Sequence, residues 1–587
     1  MSGAAVSLWM NDRNGLETLM KRIWLATTLM LCGLAQALFV GQVARAEDEA
    51  SGAKLLPKDT LLFVSVPSIP DSNEEFEKSL TGAMFHDPEL KPFLDDVQKK
   101  IDELSEKLQQ EIGVSINDLL EIPQGELTFA VVERPARKLA PILIVDYGDK
   151  KETVDKLLKK LHEGLEGDIA EHSVEEVDDI KVHVYTFKNS DPDNPFKTLA
   201  YFCEDSTLVF STEVAALKEV LDRWDGEGSD TLADNDIYKY IQDRCKEESG
   251  EPDLVWYLSP IGLIQSGLNM AQSVVPQAGV AAIFLPTLGI DRLKGWGGAS
   301  FTGVGEYDSI SKAFVFSEQP KGVLEVFLFP ATDLAPPKWV SADTSVYFGG
   351  NWNIPQAYTA IETMIDGFQG RGFTAKQLDR AADGGPGIHP KKDVIDLLDG
   401  KFHMVQGFEE NEDGVPTQQF LIAFDVKDAA KMKKTLAKAA KAGEGQVETR
   451  EFNGETIYEV SAGGDQVISL AVAAGHFVVT NDTPTLEGML RTDSQGSLAD
   501  SPAYKKVAKH FPAKVSMISY SRSDSQLKAL YEMLKGLDNS EFIEGIDLQK
   551  LPPFETLQKY LRPSGSFTVP DKKGALTVGF QLREGDK

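Results

Sequence analysis

The chain repeats itself, and that repeat limits its fold more than any other feature, because a duplicated sequence must supply the same core twice. Asp59-Thr60-Leu61-Leu62-Phe63-Val64 returns as Asp343-Thr344-Ser345-Val346-Tyr347-Phe348. Asp118-Leu119-Leu120 and Gly125-Glu126-Leu127 return as Asp393-Val394-Ile395 and Gly400-Lys401-Phe402. Ile142-Leu143-Ile144-Val145-Asp146 returns as Leu421-Ile422-Ala423-Phe424-Asp425, and a Lys-rich amphipathic segment follows each. Leu199-Ala200-Tyr201 through Ser211 matches Leu470-Ala471-Val472 through Thr480, each a hairpin turned by Glu204-Asp205-Ser206 or by Ala474-Gly475. Leu232-Ala233-Asp234 with Tyr238 matches Leu498-Ala499-Asp500 with Tyr504, and Ser300-Phe301-Thr302 matches Ser566-Phe567-Thr568. The order never changes while the spacing drifts from 284 to 266, as loop insertions and deletions would make it. Copy one is placed at 52–329, a Pro-rich linker at 330–337 and copy two at 338–587.

Most apolar runs within each copy are short and rich in Val, Ile, Phe and Thr, the pattern of strands. Two helices stand out. Leu94, Val97, Ile101, Leu104 and Leu108 make one stripe over about 92–111, and Val154, Leu157, Leu158 and Leu161 follow an expected N-cap at Asp149. Hairpin-paired strands with helices in separate blocks predict an α+β fold: two tandem homologous domains, each a mainly antiparallel sheet with packed helices.

The first 46 residues read as an export signal with an extended n-region. Met20-Lys21-Arg22 precedes an uncharged run from Ile23 to Val43, and Ala44-Arg45-Ala46 offers a cleavage site before Glu47. The uncharged run is also about long enough to serve as an uncleaved anchor. Cys32 follows Leu31 rather than a small residue, which argues against a lipid anchor. The whole chain carries 60 basic and 91 acidic residues, and without residues 1–46 the formal charge is −33. Such a surface repels nucleic acid and anionic lipid. The mature chain is expected to have no transmembrane span, and its compartment is periplasm, cell envelope or medium.

Catalytic and metal motifs are missing. There is no G-x-S-x-G, H-E-x-x-H or C-x-x-C, and the histidines (His86, His162, His172, His183, His389, His403, His476, His510) stand singly in the sequence. His403 and His476 fall in strands whose partners in copy one, Thr128 and Thr207 or Leu208, are not histidines, so the expected role is ordinary surface or core packing. Asp191-Pro192-Asp193-Asn194, the turn 225–230 and the turn 409–414 are acidic, but none has EF-hand spacing. No cofactor, catalytic residue or metal ligand is predicted. Cys203 and Cys245 can form one bridge or remain free thiols.

The one positional asymmetry between the copies is the stretch Leu258 to Ile290, which lacks any charge, whereas Arg522 to Lys550 is heavily charged. Pro276 and Pro286 are expected to break it into short pieces. It reads either as buried core of copy one or as an apolar contact surface made by Ile261, Leu263, Ile264, Leu268, Met270, Val280, Ile283, Phe284 and Leu285, facing a protein partner or an apolar ligand.

The opening Pro57-Lys58-Asp59-Thr60-Leu61 and the Leu-Ala-Asp-x-x-x-Tyr segments, behind a signal peptide, resemble a family of exported bacterial proteins of unknown function. Copy two departs from it at Ser341-Ala342-Asp343-Thr344, which lacks the proline. The resemblance implies a bacterial envelope location and no activity. The resulting expectation is an exported, non-enzymatic binding or scaffold protein of the cell envelope; the alternatives are a carrier of an apolar ligand or lipid, and a hydrolase using acidic residues.

Overall fold

Alternation of buried and half-exposed residues, as in Leu127–Arg134 and Leu254–Leu258, makes strands that bury one face against helices. In a computed structural model these strands form extended antiparallel sheets. Residues 51–583 are described, apart from 135–137, 168, 189–196, 227–228, 273–277, 411–415, 444, 464–465, 492–495 and 537–545. The expected export signal lies outside them. The chain forms two compact units: one holds the described residues of Met1–Val274 with Gly297–Val304 and Gly545–Asp547, the other Val275–Trp296, Gly305–Glu544 and Leu548–Lys587.

The first unit contains β1 (Leu62–Val66), β2 (Leu127–Arg134), β3 (Lys138–Asp146), β4 (Ala170–Val177), β5 (Ile180–Phe187), β6 (Thr198–Glu204), β7 (Thr207–Ser211) and β8 (Leu254–Leu258). Antiparallel pairing sets the order β8-β1-β2-β3-β7-β6-β5-β4. Strand β9 (Leu293–Thr302) is divided between the units. The second unit contains β10 (Tyr307–Ser317), β11 (Val346–Asn351), β12 (Leu398–Glu410), β13 (Pro416–Val426), β14 (Val447–Phe452), β15 (Glu455–Gly463), β16 (Gln466–Ala473), β17 (His476–Thr480), β18 (Met517–Arg522), β19 (Pro563–Asp571) and β20 (Gly574–Leu582). Its order is β10-β20-β19-β18-β11-β12-β13-β17-β16-β15-β14.

From β18 to β14 this is the strand order of the first unit, and the agreement extends to single residues. Ser65 faces Thr128 and Thr128 faces Ile144; Gly349 faces His403 and His403 faces Ala423. Asp146 faces Thr207, and Asp425 faces His476. The hairpin turns also agree: Asp205 and Ser206 have φ of 44° and 61°, Ala474 and Gly475 of 48° and 83°. Both central residues are left-handed, as the right-handed strand twist requires of a two-residue turn. Leu232–Asp234 and Leu498–Asp500 are both short 3₁₀ turns.

The predicted helices form, with differences of detail. The stripe helix is Lys91–Ile112, but Leu104 is exposed and its other apolar positions are half-buried. Helix Lys151–Leu165 buries Val154 and Leu158 in the core with Val145, Tyr185 and Leu208. Its N-cap is Lys150, without a side-chain cap bond, rather than Asp149; the corresponding Asp428 does cap its helix, accepting from Lys431 N–H. Pro286 does not end the helix but sits inside Ala278–Leu288, where it forgoes the backbone hydrogen bond to Ala282; Pro276 lies outside the described residues.

Candidate metal centre

The second unit's sheet gathers residues that lie far apart in sequence. His403 on β12 faces Ala423 on β13, and Asp425, two residues further along β13, faces His476 on β17. Side chains two apart on a strand share a face, so His403, Asp425 and His476 project to the same side of three adjacent strands. Asp425 Oδ1 lies 3.0 Å from His476 Nε2 and 3.5 Å from His403 Nε2. Only 6% of the His403 side chain and 12% of that of His476 are exposed. Trp339 stands edge-on over both imidazoles, 6.2 and 5.7 Å between centroids.

The far nitrogen of each ring is already engaged. His403 Nδ1 lies 2.8 Å from the hydroxyl of Tyr347, and His476 Nδ1 lies 2.8 Å from the carbonyl of Ala474. A carbonyl can only accept, so His476 carries its proton on Nδ1. Neutral, it turns the Nε2 lone pair toward a carboxylate oxygen. Two acceptors then face each other at 3.0 Å, and Asp425 Oδ1, although buried, receives no aligned hydrogen bond. A buried acceptor in that position calls for a cation or a proton between the groups. Burial works to raise the Asp425 carboxyl, yet with a proton on the facing nitrogens the two imidazoles act as donors and positive charges that outweigh burial and hold the group well below the usual carboxylate range. Burial pushes His403 below its ordinary value, toward the neutral form that ligates metals. Burial likewise raises Tyr347, which remains a protonated hydroxyl.

Shared register exposes how this cluster differs from the first unit. The same positions there hold Phe63 for Tyr347, Ser65 for Gly349, Thr128 for His403 and Thr207 for His476, while Asp146 stands where Asp425 does. Gly349 is needed for space: a Cβ there would come within 2.6 Å of the Tyr347 hydroxyl. In the first unit Thr128 donates to Glu126 at 2.6 Å, as Ser65 does at 2.7 Å, and nothing ligand-like forms.

No family model, curated protein or solved structure matches this chain. Function is therefore argued from the chemistry of its own residues.

The first unit has its own histidine cluster, where helix Lys151–Leu165 ends over β4 and β5. His162 Nε2 lies 2.8 Å from Glu166 Oε2, and its Nδ1 lies 3.1 Å from the hydroxyl of Tyr185. His172 Nε2 lies 3.1 Å from His183 Nδ1. Burial first, and neighbouring imidazoles second, push His172 and His183 below the ordinary histidine value. The expectation that the histidines stand singly is thus corrected: sheet pairing joins His403 to His476, and a helix end over a hairpin joins His162, His172 and His183. An adjoining cavity of about 430 Å³ is lined by Asp155, Asp179, Glu204, Lys181, His183 and Tyr201 together with Leu158, Ile180 and Cys203, a lining of mixed polarity.

The predicted apolar surface is distributed differently. Helix Pro260–Gln272, with Ile261, Leu263 and Leu268 half-buried and Ile264 and Met270 exposed, belongs to the first unit. Helix Ala278–Leu288, with Ile283 and Phe284 exposed and Leu285 buried, belongs to the second. The side chain of Val280 lies outside the described residues, as do the turns 191–194 and 411–414. Among the described residues no helix is long and apolar enough to cross a membrane. Cys203 and Cys245 are not joined in a disulfide.

Proposed function

We propose that this chain is an exported, non-enzymatic binding protein of the bacterial envelope, built from two copies of one α+β domain. In copy two, His403, Asp425 and His476 bind a divalent transition metal ion of the zinc class. The observation that carries the reading is the buried Asp425 Oδ1, flanked by two imidazole Nε2 atoms and given no aligned hydrogen bond. Zinc bonds to imidazole and carboxylate measure about 2.0–2.2 Å, which puts two ligands of one tetrahedral ion about 3.3 Å apart. The observed 3.0 and 3.5 Å bracket that separation. Tyr347 and the Ala474 carbonyl fix the ring orientations, the part outer partners play in known sites. Three protein ligands leave one coordination position for water. Asp425 serves as a ligand here and is not free to act as a general base.

The export reading rests on the basic, apolar and Ala-x-Ala segments of residues 20–46. The duplication reading rests on the repeated motifs and the shared strand register.

Calorimetric titration of untagged mature protein with Zn²⁺ tests the site. His476→Gln and Asp425→Asn should each weaken binding by more than the roughly 10–100-fold typical of an outer-shell change. Unchanged affinity in both variants, with folding intact, would exclude this site. Export is checked separately: periplasmic fractionation and intact mass should give a chain beginning at Glu47, and cytoplasmic retention of the unprocessed chain would refute it.

A further inference from the structure

We infer that the first unit holds a second transition-metal site, made by His162, Glu166 and His172, which shares no residue with the site in the second unit. One nitrogen of each imidazole and one Glu166 oxygen lie within 4.8 Å of one another. His162 and Glu166 are four residues apart at the end of helix Lys151–Leu165 and therefore share a face, while His172 enters from β4.

Hydrogen bonds around the cluster leave suitable atoms available. His162 Nε2 faces the Glu166 carboxylate at 2.8 Å, so it carries the proton and Nδ1 accepts from the Tyr185 hydroxyl at 3.1 Å. The Nε2 proton is the one a metal replaces. His172 and His183 have nearly parallel planes, yet their ring centres are 5.3 Å apart and their facing nitrogens 3.1 Å. The difference leaves room only for the two ring radii. The nitrogens therefore point end-on at each other, in an N–H···N hydrogen bond rather than a face-to-face stack. That bond occupies His172 Nε2 and orients the ring with Nδ1 left to ligate. His183 is accordingly an outer partner and not a ligand, the same role Tyr347 has beside His403.

Position within the repeated frame supports a separately evolved site. His172 faces Tyr185, which faces Leu199; in the second unit Thr449 faces Tyr458, which faces Leu470. Tyrosine is retained at the shared position, but Thr449 replaces His172, and by the same register Thr456 replaces His183. The first unit has thus gained imidazoles on its outer hairpin, and the second on its central strands. Two nitrogens and one carboxylate oxygen again make a zinc-class donor set with one position open to water. With His162 37% and Glu166 54% exposed, against 6% for His403, the first-unit site is the weaker and faster-exchanging of the two.

The test is the stoichiometry of Zn²⁺ and of Co²⁺ on the untagged mature chain, by calorimetry and by the visible absorption of bound Co²⁺. Wild type should take two ions. His172→Asn should remove the weaker ion and leave the tighter, and His476→Gln should do the opposite. Glu166→Gln, a change at an exposed side chain that does not threaten folding, should weaken the first-unit ion at least tenfold. If wild type binds a single ion, lost in His476→Gln and untouched by His172→Asn and Glu166→Gln, this inference is overturned while the second-unit site stands. If the single ion is lost in His172→Asn and retained in His476→Gln, the first-unit site stands alone.

Discussion

Gly349→Ala tests the second-unit site through packing rather than through its ligands. The added Cβ would lie 2.6 Å from Tyr347 Oη, 3.2 Å from Cζ and 3.4 Å from Cε1, so only the hydroxyl is in severe conflict. Tyr347 is fully buried and β11 is paired on both sides, which leaves the ring little room to move. Overpacking of this kind costs about 1–3 kcal/mol. Displacing the hydroxyl leaves His403 Nδ1 unpaired, a further penalty of about 1–3 kcal/mol. Replacing glycine within a strand returns roughly 0.5–1 kcal/mol. The expected net loss is about 1–5 kcal/mol, centred near 3, measured by urea denaturation with chelator present. Tyr347→Phe alone should cost about 1–3 kcal/mol through the lost hydrogen bond. In that background the alanine meets only Cζ at 3.2 Å, so Gly349→Ala should cost about 1 kcal/mol or less, a coupling well above the error of a double-mutant cycle. Each single change should also weaken Zn²⁺ binding by about 10–100-fold. Equal costs for Gly349→Ala in both backgrounds would refute the reasoning, because the hydroxyl would then not be what the glycine accommodates.

Three further outcomes follow from the first unit. Burial pushes the Asp253 carboxyl up to about 6; the folded state therefore favours the protonated form, and stability is fully present below the unfolded value near 4 and falls as pH rises through 6. Asp253→Asn should consequently stabilise the protein by about 1–3 kcal/mol at pH 8 and by little at pH 4, checked by denaturation at both. Glu126 accepts from Gly52 N–H at 3.0 Å, Ser65 Oγ at 2.7 Å and Thr128 Oγ1 at 2.6 Å, so Glu126→Ala orphans buried donors and should cost about 3 kcal/mol in the same assay. Burial pushes the Cys203 thiol up to about 11, and Cys245 is wholly buried, so intact mass after iodoacetamide at pH 8 should show neither alkylated until urea is added.

Much of the frame is legible before any coordinates. The repeated Asp146 and Asp425 occupy one register position, the turns fall at Asp205-Ser206 and Ala474-Gly475, and the helix behind the Val154 stripe forms. The sites are not legible, for a reason of topology. His403 and His476 are joined only through β13, and the excursion β14 to β16 separates them along the chain, so no short ligand spacing announces them. Zinc templates look for neighbours in sequence, whereas this cluster consists of neighbours across strands. Comparison of the two units contains the signal, since Tyr347, Gly349, His403 and His476 all stand where the first unit has non-ligand residues, but until the register is known these differences are scattered. The uncharged stretch misleads in the opposite way: its continuity in sequence is divided between two units.

The differences between the two units at these shared register positions argue for ligand binding over simple packing because they make sense together. A tyrosine in place of Phe63 buries a hydroxyl that needs a partner, and His403 Nδ1 supplies one. A histidine in place of Thr128 gives up the small buried hydroxyl pair formed with Ser65, and the glycine opposite it admits the tyrosine. A second histidine brings Nε2 up to an ionised carboxylate whose Oδ1 is buried and meets no aligned donor. Each of these changes alone leaves a buried polar atom without its partner, while the carboxylate itself is common to both units, as Asp146 and Asp425. The changed residues put all three donor atoms on one face with both rings fixed from behind, and a divalent cation is what such a donor set receives.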